Sequence, residues 1–228
     1  MTGLTDGAAA VVFDFFGTLT PVSPDRVWAG NARRLAAALG VPGDELAAAL
    51  DESFPERITG ILGDVRQTLQ VLASRLGARP SDDQLAHASR VRREIQESMF
   101  ALRPEAVPVI RRIRAAGLKI GLLSDCTSEL PDAWSTLPLA DLVDAPVFSC
   151  VEGMRKPDPR LFWTVAANLR SEPAECLYVG DGGGRELTGA SEVGMRAVLL
   201  AGHDWLAHRS TEVGWTGPRI GSLTDLCR

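Results

Sequence analysis

Three acidic residues each follow a short apolar run: Asp14 in "VVFDFFGTLTP", Asp125 in "GLLSD" and Asp181 in "CLYVGD". A carboxylate can act as a nucleophile, and several carboxylates together can supply the oxygen ligands that Mg²⁺ prefers. Lys156, in "RKPDP", is a cation that could stabilise negative charge on a substrate. A single acid at a strand end is commonly a turn or helix-cap residue, so the inference of a site depends on all four residues occurring together.

The apolar runs before these acids predict buried strands. Continuous runs, rather than alternating ones, are typical of strands covered on both faces of a parallel sheet. Helical patterns lie between them, which predicts right-handed βαβ crossovers and a Rossmann-like, doubly wound α/β sheet. Ligands bind beyond the carboxyl ends of the strands in such sheets, where the three acids lie. The predicted strands are 8–16, 119–125, 145–149, 176–181 and 195–202, and the predicted helices are 104–116, 159–170 and 185–193.

Residues 21–100 interrupt this alternation and contain no strand-like run. Apolar residues instead recur at steps of three and four, as on one face of a helix. The clearest series is Leu62, Val65, Leu69, Leu72 and Leu76. An all-helical insert placed directly after the first strand predicts a cap domain over residues 21–100 and a core domain made of residues 1–20 and 101–228.

The composition narrows the class of partner and the cell compartment. The 228 residues carry a net charge of −5, which argues against nucleic acid or an anionic membrane as the main partner. The four cysteines form no C-x-x-C pair, so neither a disulfide framework nor a zinc site is expected, and a reducing, cytoplasmic setting is. The N-terminal segment predicts neither a signal peptide nor a membrane span. The oligomeric state cannot be predicted from these features.

Taken in chain order, the motifs resemble those of the haloacid dehalogenase (HAD) superfamily, a large group that includes many phosphatases. "FDFFGTLT" is similar to the first family motif, Ser124 lies at the second, and Lys156 lies at the third. "YVGDGGGRELTGA" is similar to the fourth and supplies Asp181 and Glu186. The resemblance spans essentially the whole chain and includes the position of the helical cap, the C1 arrangement of subfamily I.

The resemblance implies a nucleophile and a metal site. Asp14 would attack phosphorus and form an aspartyl-phosphate, which divides one difficult hydrolysis into two easier steps. Asp14, the backbone carbonyl of Phe16 and Asp181 would hold Mg²⁺, and Glu186 would support these ligands from outside the coordination sphere. By itself, Glu186 could instead be an acid in the first turn of a helix.

The resemblance also implies a phosphate-binding group of residues. Ser124 and Lys156 would hold the phosphoryl oxygens, and Thr18 could donate from its backbone N–H or its hydroxyl. Asp125 stands where many members have Asn, and its charge would repel a phosphate unless it is neutralised or turned away. Taken alone, Ser124 could be a turn residue and Lys156 a solvated loop residue.

The main departure from the family pattern is Phe16. Family phosphatases normally have an Asp at this position, which protonates the leaving group and then activates water. Such an acid/base residue increases the rate about 10²- to 10⁴-fold. A Phe side chain can neither protonate the leaving group nor activate water. Dehalogenase members carry an aromatic residue here and work without metal, although they depart from the phosphatase pattern in the fourth motif.

These observations favour a Mg²⁺-dependent phosphohydrolase that acts on a small, anionic, phosphorylated metabolite with a good leaving group. A cap side chain could also complete the site, with Arg57 as the first candidate and Asp25 and Asp64 as others. A metal-free 2-haloacid dehalogenase and a binding or regulatory protein with little turnover remain alternatives. The segment "GHDWLAH" could reach the edge of the site. Its His203 and His208 show no metal or triad spacing and are expected to be surface or loop residues.

Overall fold

The computed structural model describes residues 3–202, 211–212 and 214–228. The strands are β1 (Ala10–Phe13), β2 (Lys119–Ser124), β3 (Ala145–Phe148), β4 (Cys176–Gly180), β5 (Arg196–Leu200) and β6 (Arg219–Ile220). The helices are α1 (Asp25–Leu39), α2 (Gly43–Glu52), α3 (Phe54–Ile58), α4 (Val65–Arg75), α5 (Asp82–Met99), α6 (Ala106–Ala115), α7 (Glu129–Ala133), α8 (Ser149–Glu152), α9 (Pro159–Asn168) and α10 (Glu186–Glu192). Short 3₁₀ turns occupy Trp134–Thr136, Pro173–Glu175, Gly183–Arg185 and Leu223–Cys227.

The described strands form one parallel sheet in the order β3-β2-β1-β4-β5-β6. Alternate residues of β1 belong to different hydrophobic clusters, with Val11 and Phe13 on one face and Ala10 and Val12 on the other. Both faces of the sheet are therefore covered, as the continuous apolar runs predict. The Rossmann-like α/β fold is confirmed. The two-residue strand β6 was not predicted, because so short a segment carries no apolar pattern.

The sheet register aligns the ends of the three strands that carry the candidate residues. β1 lies between β2 and β4, and Phe13 pairs with Leu122 on one side and Val179 on the other. The backbone N–H of Asp14 continues the ladder by donating to the carbonyl of Val179 at 2.9 Å. Asp14 therefore emerges at the centre of the carboxyl edge, flanked by the ends of two neighbouring strands.

Helices α1, α2, α4 and α5 share a hydrophobic cluster of their own. Its buried members are Leu35, Ala36, Leu39, Leu46, Val65, Leu69, Leu72, Leu85, Ala88, Val91 and Ile95. Capping boxes begin α4 at Asp64 and α5 at Ser81, where each side chain accepts a hydrogen bond from the third residue of its helix. None of the helices in the described ranges combines the length with the apolar character that crossing a lipid bilayer requires.

Polar contacts join this helical segment to the rest of the protein. The buried Arg92 of α5 donates from Nε to Glu129 Oε1 of α7 at 2.7 Å. Gln96 Nε2 donates to the hydroxyl of Thr127 at 3.2 Å. On the other side, Ser149 Oγ donates to the carbonyl of Ile58 at 2.6 Å. The helices are thus held against two loops that leave the carboxyl edge of the sheet.

The buried pair gives a prediction about stability. Arg92→Met leaves the Glu129 carboxylate buried without its guanidinium partner and should lower the free energy of unfolding by about 3–5 kcal/mol. Arg92→Met/Glu129→Leu makes the pair apolar and should recover most of that loss in denaturant unfolding. The exposed pair Arg34–Glu94 supplies the control, since Arg34→Met should change stability by less than about 1 kcal/mol.

The same pair should make folding sensitive to acid. Burial alone raises the pKa of Glu129, but the charge of Arg92 and the surrounding hydrogen bonds lower it overall. A carboxyl group with a lowered folded pKa stabilises the protein above its unfolded pKa of about 4.3, and this contribution is lost as pH falls through the folded value. Tm should therefore fall less steeply with acid in Arg92→Met/Glu129→Leu than in the wild type, and equal slopes would contradict the assignment.

Candidate active site

The side chains of Asp14 and Lys156 meet in a buried ion pair. Lys156 Nζ lies 2.7 Å from Asp14 Oδ1 and 2.5 Å from Glu186 Oε2. Burial acts to lower the pKa of Lys156, but the charges of Asp14 and Glu186 outweigh it and hold that pKa well above its usual value. The lysine is therefore a charged site residue rather than a solvated loop residue.

Glu186 is a fully buried acid at the start of α10. Its Oε2 accepts from Lys156 and from the hydroxyl of Tyr178 at 2.7 Å, and its Oε1 accepts from the N–H of Gly182 at 2.9 Å. Burial and the charge of Asp14 raise its pKa to about 8. Both carboxylate oxygens of Glu186 already accept hydrogen bonds from protein groups. This geometry agrees with the predicted role of Glu186 in supporting the metal ligands from outside the coordination sphere.

Asp181 completes a cluster of carboxylates. Its Oδ1 accepts from the N–H of Gly183 at 2.9 Å, and burial together with the charge of Asp14 raises its pKa to about 6. Asp14, Asp181 and Glu186 each present an oxygen within 4.8 Å of the others. Three carboxyl groups that bring hard oxygen donors this close together fit a divalent cation such as Mg²⁺.

The turn after Asp14 is held close to Asp181. Gly17 has φ of +82°, and a Cβ placed on it would lie 2.1 Å from Asp181 Oδ2. Arg103 donates to the carbonyls of Gly17 and Thr18, both at 2.9 Å. Neither role was predicted from the sequence: Arg103 is more than 80 residues from the turn that it contacts, and Tyr178 lies within a predicted strand that gives no sign of a bond to Glu186.

Two predicted phosphate-binding residues, Ser124 and Thr18, are fully buried. Neither hydroxyl oxygen has a hydrogen-bond partner among the residues that the structure describes. A buried polar group without a partner costs about 1–3 kcal/mol, so such groups are commonly satisfied by a ligand or water. This observation agrees with their predicted contact with phosphoryl oxygens.

Asp125 is engaged with the main chain. Its Oδ1 accepts from the backbone N–H of Lys156 at 3.0 Å, which ties the end of β2 to the loop that carries the lysine. Burial raises its pKa, and the charge and N–H of Lys156 oppose that rise. The structure thus gives Asp125 a positioning contact, and its predicted contact with substrate stays a prediction.

Phe16 occupies the acid/base position with an aromatic ring. Its ring packs edge-to-face on Phe15 at a centroid distance of 4.9 Å and lies 6.2 Å from that of Phe100, directly after α5. The role of its carbonyl as a metal ligand remains a prediction.

Arg57 and Asp64, two of the candidates from the helical insert, make their described contacts away from this cluster. Arg57 donates to the hydroxyl of Ser53 and to the carbonyl of Leu50, and its guanidinium lies 5.5 Å from the centre of the Phe54 ring. Asp64 is the exposed N-cap of α4, a structural role. Asp25 is the first residue of α1. His203 and His208 lie outside the described residues.

Residues 8–194 match the family model of haloacid dehalogenase-like hydrolases. The chain belongs to this family. The resemblance predicted from the four motifs is thereby confirmed, and the protein is a hydrolase.

Relatives of this HAD-like hydrolase include phosphatases. The phosphatase MT3486 of Mycobacterium tuberculosis is 30% identical over 207 residues, which cover 84% of this chain and 87% of that protein. The glyceraldehyde 3-phosphate phosphatase of Methanopyrus kandleri is 27% identical over 193 residues, which cover 84% and 83%. The crystal structure of a 2-haloacid dehalogenase from Pseudomonas syringae pv. Tomato superposes with a TM-score of 0.69 at 24% identity, covering 96% of both chains. The last comparison shows a shared fold.

The close approach at Gly17 gives a prediction about metal binding in this HAD-like hydrolase. Gly17→Ala would place a Cβ against Asp181 and should weaken Mg²⁺ binding at least about tenfold in calorimetry. Gly7→Ala is the matched control, because Gly7 has a similar φ of +73° but nothing within 4 Å of the added Cβ. Both variants carry a backbone cost of about 1–2 kcal/mol, and only the first should change Mg²⁺ affinity. Equal affinities in folded protein would contradict the proposed cluster.

Proposed function

We propose that this hydrolase is a Mg²⁺-dependent phosphohydrolase that uses Asp14 as its nucleophile. The observation that carries the proposal is the buried contact of Lys156 with Asp14 and Glu186, beside Asp181. The phosphatase relatives, which match over most of their lengths, support a phosphate ester as substrate. In this proposal residues 1–20 and 101–228 form the catalytic core, and residues 21–100 form the cap.

The reaction would proceed in two steps. A carboxylate oxygen of Asp14 attacks phosphorus, the bond to the leaving group breaks, and an aspartyl-phosphate forms. Water then attacks that phosphorus, which releases inorganic phosphate and restores the carboxylate. Lys156 would orient Asp14 and offset the charge that develops on the phosphoryl oxygens. Ser124 and Thr18 would donate to those oxygens, consistent with their buried, unpaired hydroxyls.

The metal-binding residues in this proposal are Asp14, Asp181 and the carbonyl of Phe16. Mg²⁺ held there would reduce the repulsion between the carboxylates and an anionic substrate. Glu186 would keep Lys156 and the turn at Gly182 in place. Burial and, after it, the charge of Asp14 raise the pKa values of Asp181 and Glu186, and a bound cation would favour the charged form of both groups.

The substrate class follows from Phe16. Without a proton donor, the leaving group must depart as an anion, so acyl or aryl phosphates are the favoured substrates among small phosphorylated metabolites. A cap contribution from Arg57 remains part of the proposal. Arg57 lines a cavity of about 10 Å³ with Arg92, Thr127 and Glu129, beside the loop that follows β2, and this cavity would have to widen to admit an anionic group of the substrate.

A metal-free dehalogenase is the second candidate. The aromatic side chain at position 16 favours it, because a halide leaving group needs no proton. The carboxylates of Asp181 and Glu186 argue against it, since they place further negative charge where no cation would be required.

A panel of substrates separates these functions. Wild-type protein with Mg²⁺ should release phosphate from acetyl phosphate and p-nitrophenyl phosphate, and Asp14→Asn should lower that rate by about four orders of magnitude or to background. The exposed Asp141 gives the control variant Asp141→Asn, which should retain full activity. Chloride release from 2-chloropropionate without metal would instead identify a dehalogenase. Mg²⁺ binding without turnover of either class would favour a binding or regulatory protein.

A second test concerns the missing acid. The rate of phosphate release should fall steeply as the pKa of the leaving group rises. Phe16→Asp should raise the rate on alkyl phosphates about 10²-fold and flatten this dependence, because it supplies a proton donor. Phe16→Asn has nearly the same shape but cannot transfer the proton, so it should leave the slope steep. A flat dependence in the wild type would count against the proposed leaving-group requirement.

A further inference from the structure

Two thiols close to the candidate site have no part in the proposed reaction. The sulfur atoms of Cys126 and Cys150 lie 4.0 Å apart. Cys126 is buried two residues after Ser124, and Cys150 is half-buried in α8. Neither thiol is disulfide-bonded in the structure.

The sheet register brings these residues together. β2 and β3 are parallel, with Ser124 opposite Phe148. Cys126 and Cys150 each lie two residues beyond this aligned pair, just after the strands end, and their sulfur atoms approach to 4.0 Å. The N–H of Cys126 donates to Ser149 Oγ at 2.9 Å, so the two segments stay adjacent beyond the strand ends.

The segment that contains Cys150 also contacts the helical insert. Ser149 Oγ donates to the carbonyl of Ile58 at 2.6 Å. The backbone of Gly60 lies against the carbonyl of Cys150, where a Cβ on Gly60 would be only 2.2 Å from the oxygen. Any movement of Cys150 toward Cys126 is therefore transmitted to the segment between α3 and α4.

We infer that Cys126 and Cys150 form a reversible disulfide when the protein is exposed to a peroxide. We also infer that this bond weakens the contacts of Ser149 and Cys150 with Ile58 and Gly60 of the helical insert. The sulfurs must close from 4.0 Å to about 2.05 Å. That shift displaces Ser149, whose hydroxyl joins Cys126 to Ile58.

The chemistry assigns different roles to the two thiols. The hydrogen bond from the Cys126 thiol lowers the pKa of Cys150, while burial raises that of Cys126. Cys150 is also the more exposed, so its thiolate attacks hydrogen peroxide and becomes a sulfenic acid as hydroxide leaves. The Cys126 sulfur then attacks that sulfur, and its proton departs with the sulfenic hydroxyl as water. Two electrons pass to the peroxide, and a dithiol reductant reverses the bond.

The bond itself can be tested by thiol counting and peptide mapping. The full-length chain has four thiols, and after hydrogen peroxide and denaturation two should remain. Proteolysis should yield one peptide pair that contains Cys126 joined to Cys150, and dithiothreitol should remove it. Cys150→Ser should abolish the pair, whereas the control Cys227→Ser should leave it unchanged. Thiol loss without this peptide pair would overturn the inference.

The effect of the disulfide on the helical insert can be tested by amide hydrogen exchange over residues 54–63. Oxidation of the wild type should speed exchange there at least threefold, and Cys150→Ser treated in the same way should show no change. A Cys126–Cys150 bond with unchanged exchange would overturn the link to the insert. Neither measurement needs a substrate, so both outcomes are independent of the proposed hydrolysis.

Discussion

The ammonium group of Lys156, buried between the carboxylates of Asp14 and Glu186, is the interaction on which the rest of the site depends. Removing charged groups from water costs several kcal/mol each, and the close contacts of Lys156 with both carboxyl groups offset part of that cost. Asp181 adds a third carboxyl group, and the three present oxygens within 4.8 Å of one another, a grouping that could hold a cation. The parallel sheet makes this possible because it ends three neighbouring strands at one edge.

The aromatic residue at position 16 changes what this electrostatic arrangement can do. Phe16 packs with Phe15 and Phe100, so the turn that follows Asp14 shares its packing with the residue directly after α5. A charged side chain at position 16 would have to turn away from the rings of Phe15 and Phe100 or be buried against them. The departure from the family pattern is therefore part of the packing between the turn after β1 and the insert. In the proposed reaction it would restrict the chemistry to leaving groups that need no proton.

The sequence predicted those features that local patterns encode. Apolar runs located the five longer strands, and the motif residues Asp14, Lys156, Asp181 and Glu186 lie together as the alignment of strand ends requires. Tyr178 was interpreted only as part of an apolar run, because nothing in its own segment reveals that its hydroxyl reaches Glu186. The buried pair between Arg92 and Glu129 was also missed. Its partners are far apart in the chain, and only the tertiary fold brings them within bonding distance.

The hydrogen bond from the N–H of Arg103 to the carbonyl of Leu19, at 2.8 Å, lies where the chain leaves the sheet domain and returns to it. This hydrogen bond holds together the two points where the helical insert joins the sheet. The guanidinium of Arg103 strengthens the junction by donating to the carbonyls of Gly17 and Thr18. A linker of a few residues could join these two points, so the insert could be replaced without changing how the strands are connected. Exchanging it for one of another length would add little loop-closure entropy to the folding of the sheet, because that cost grows only with the logarithm of loop length.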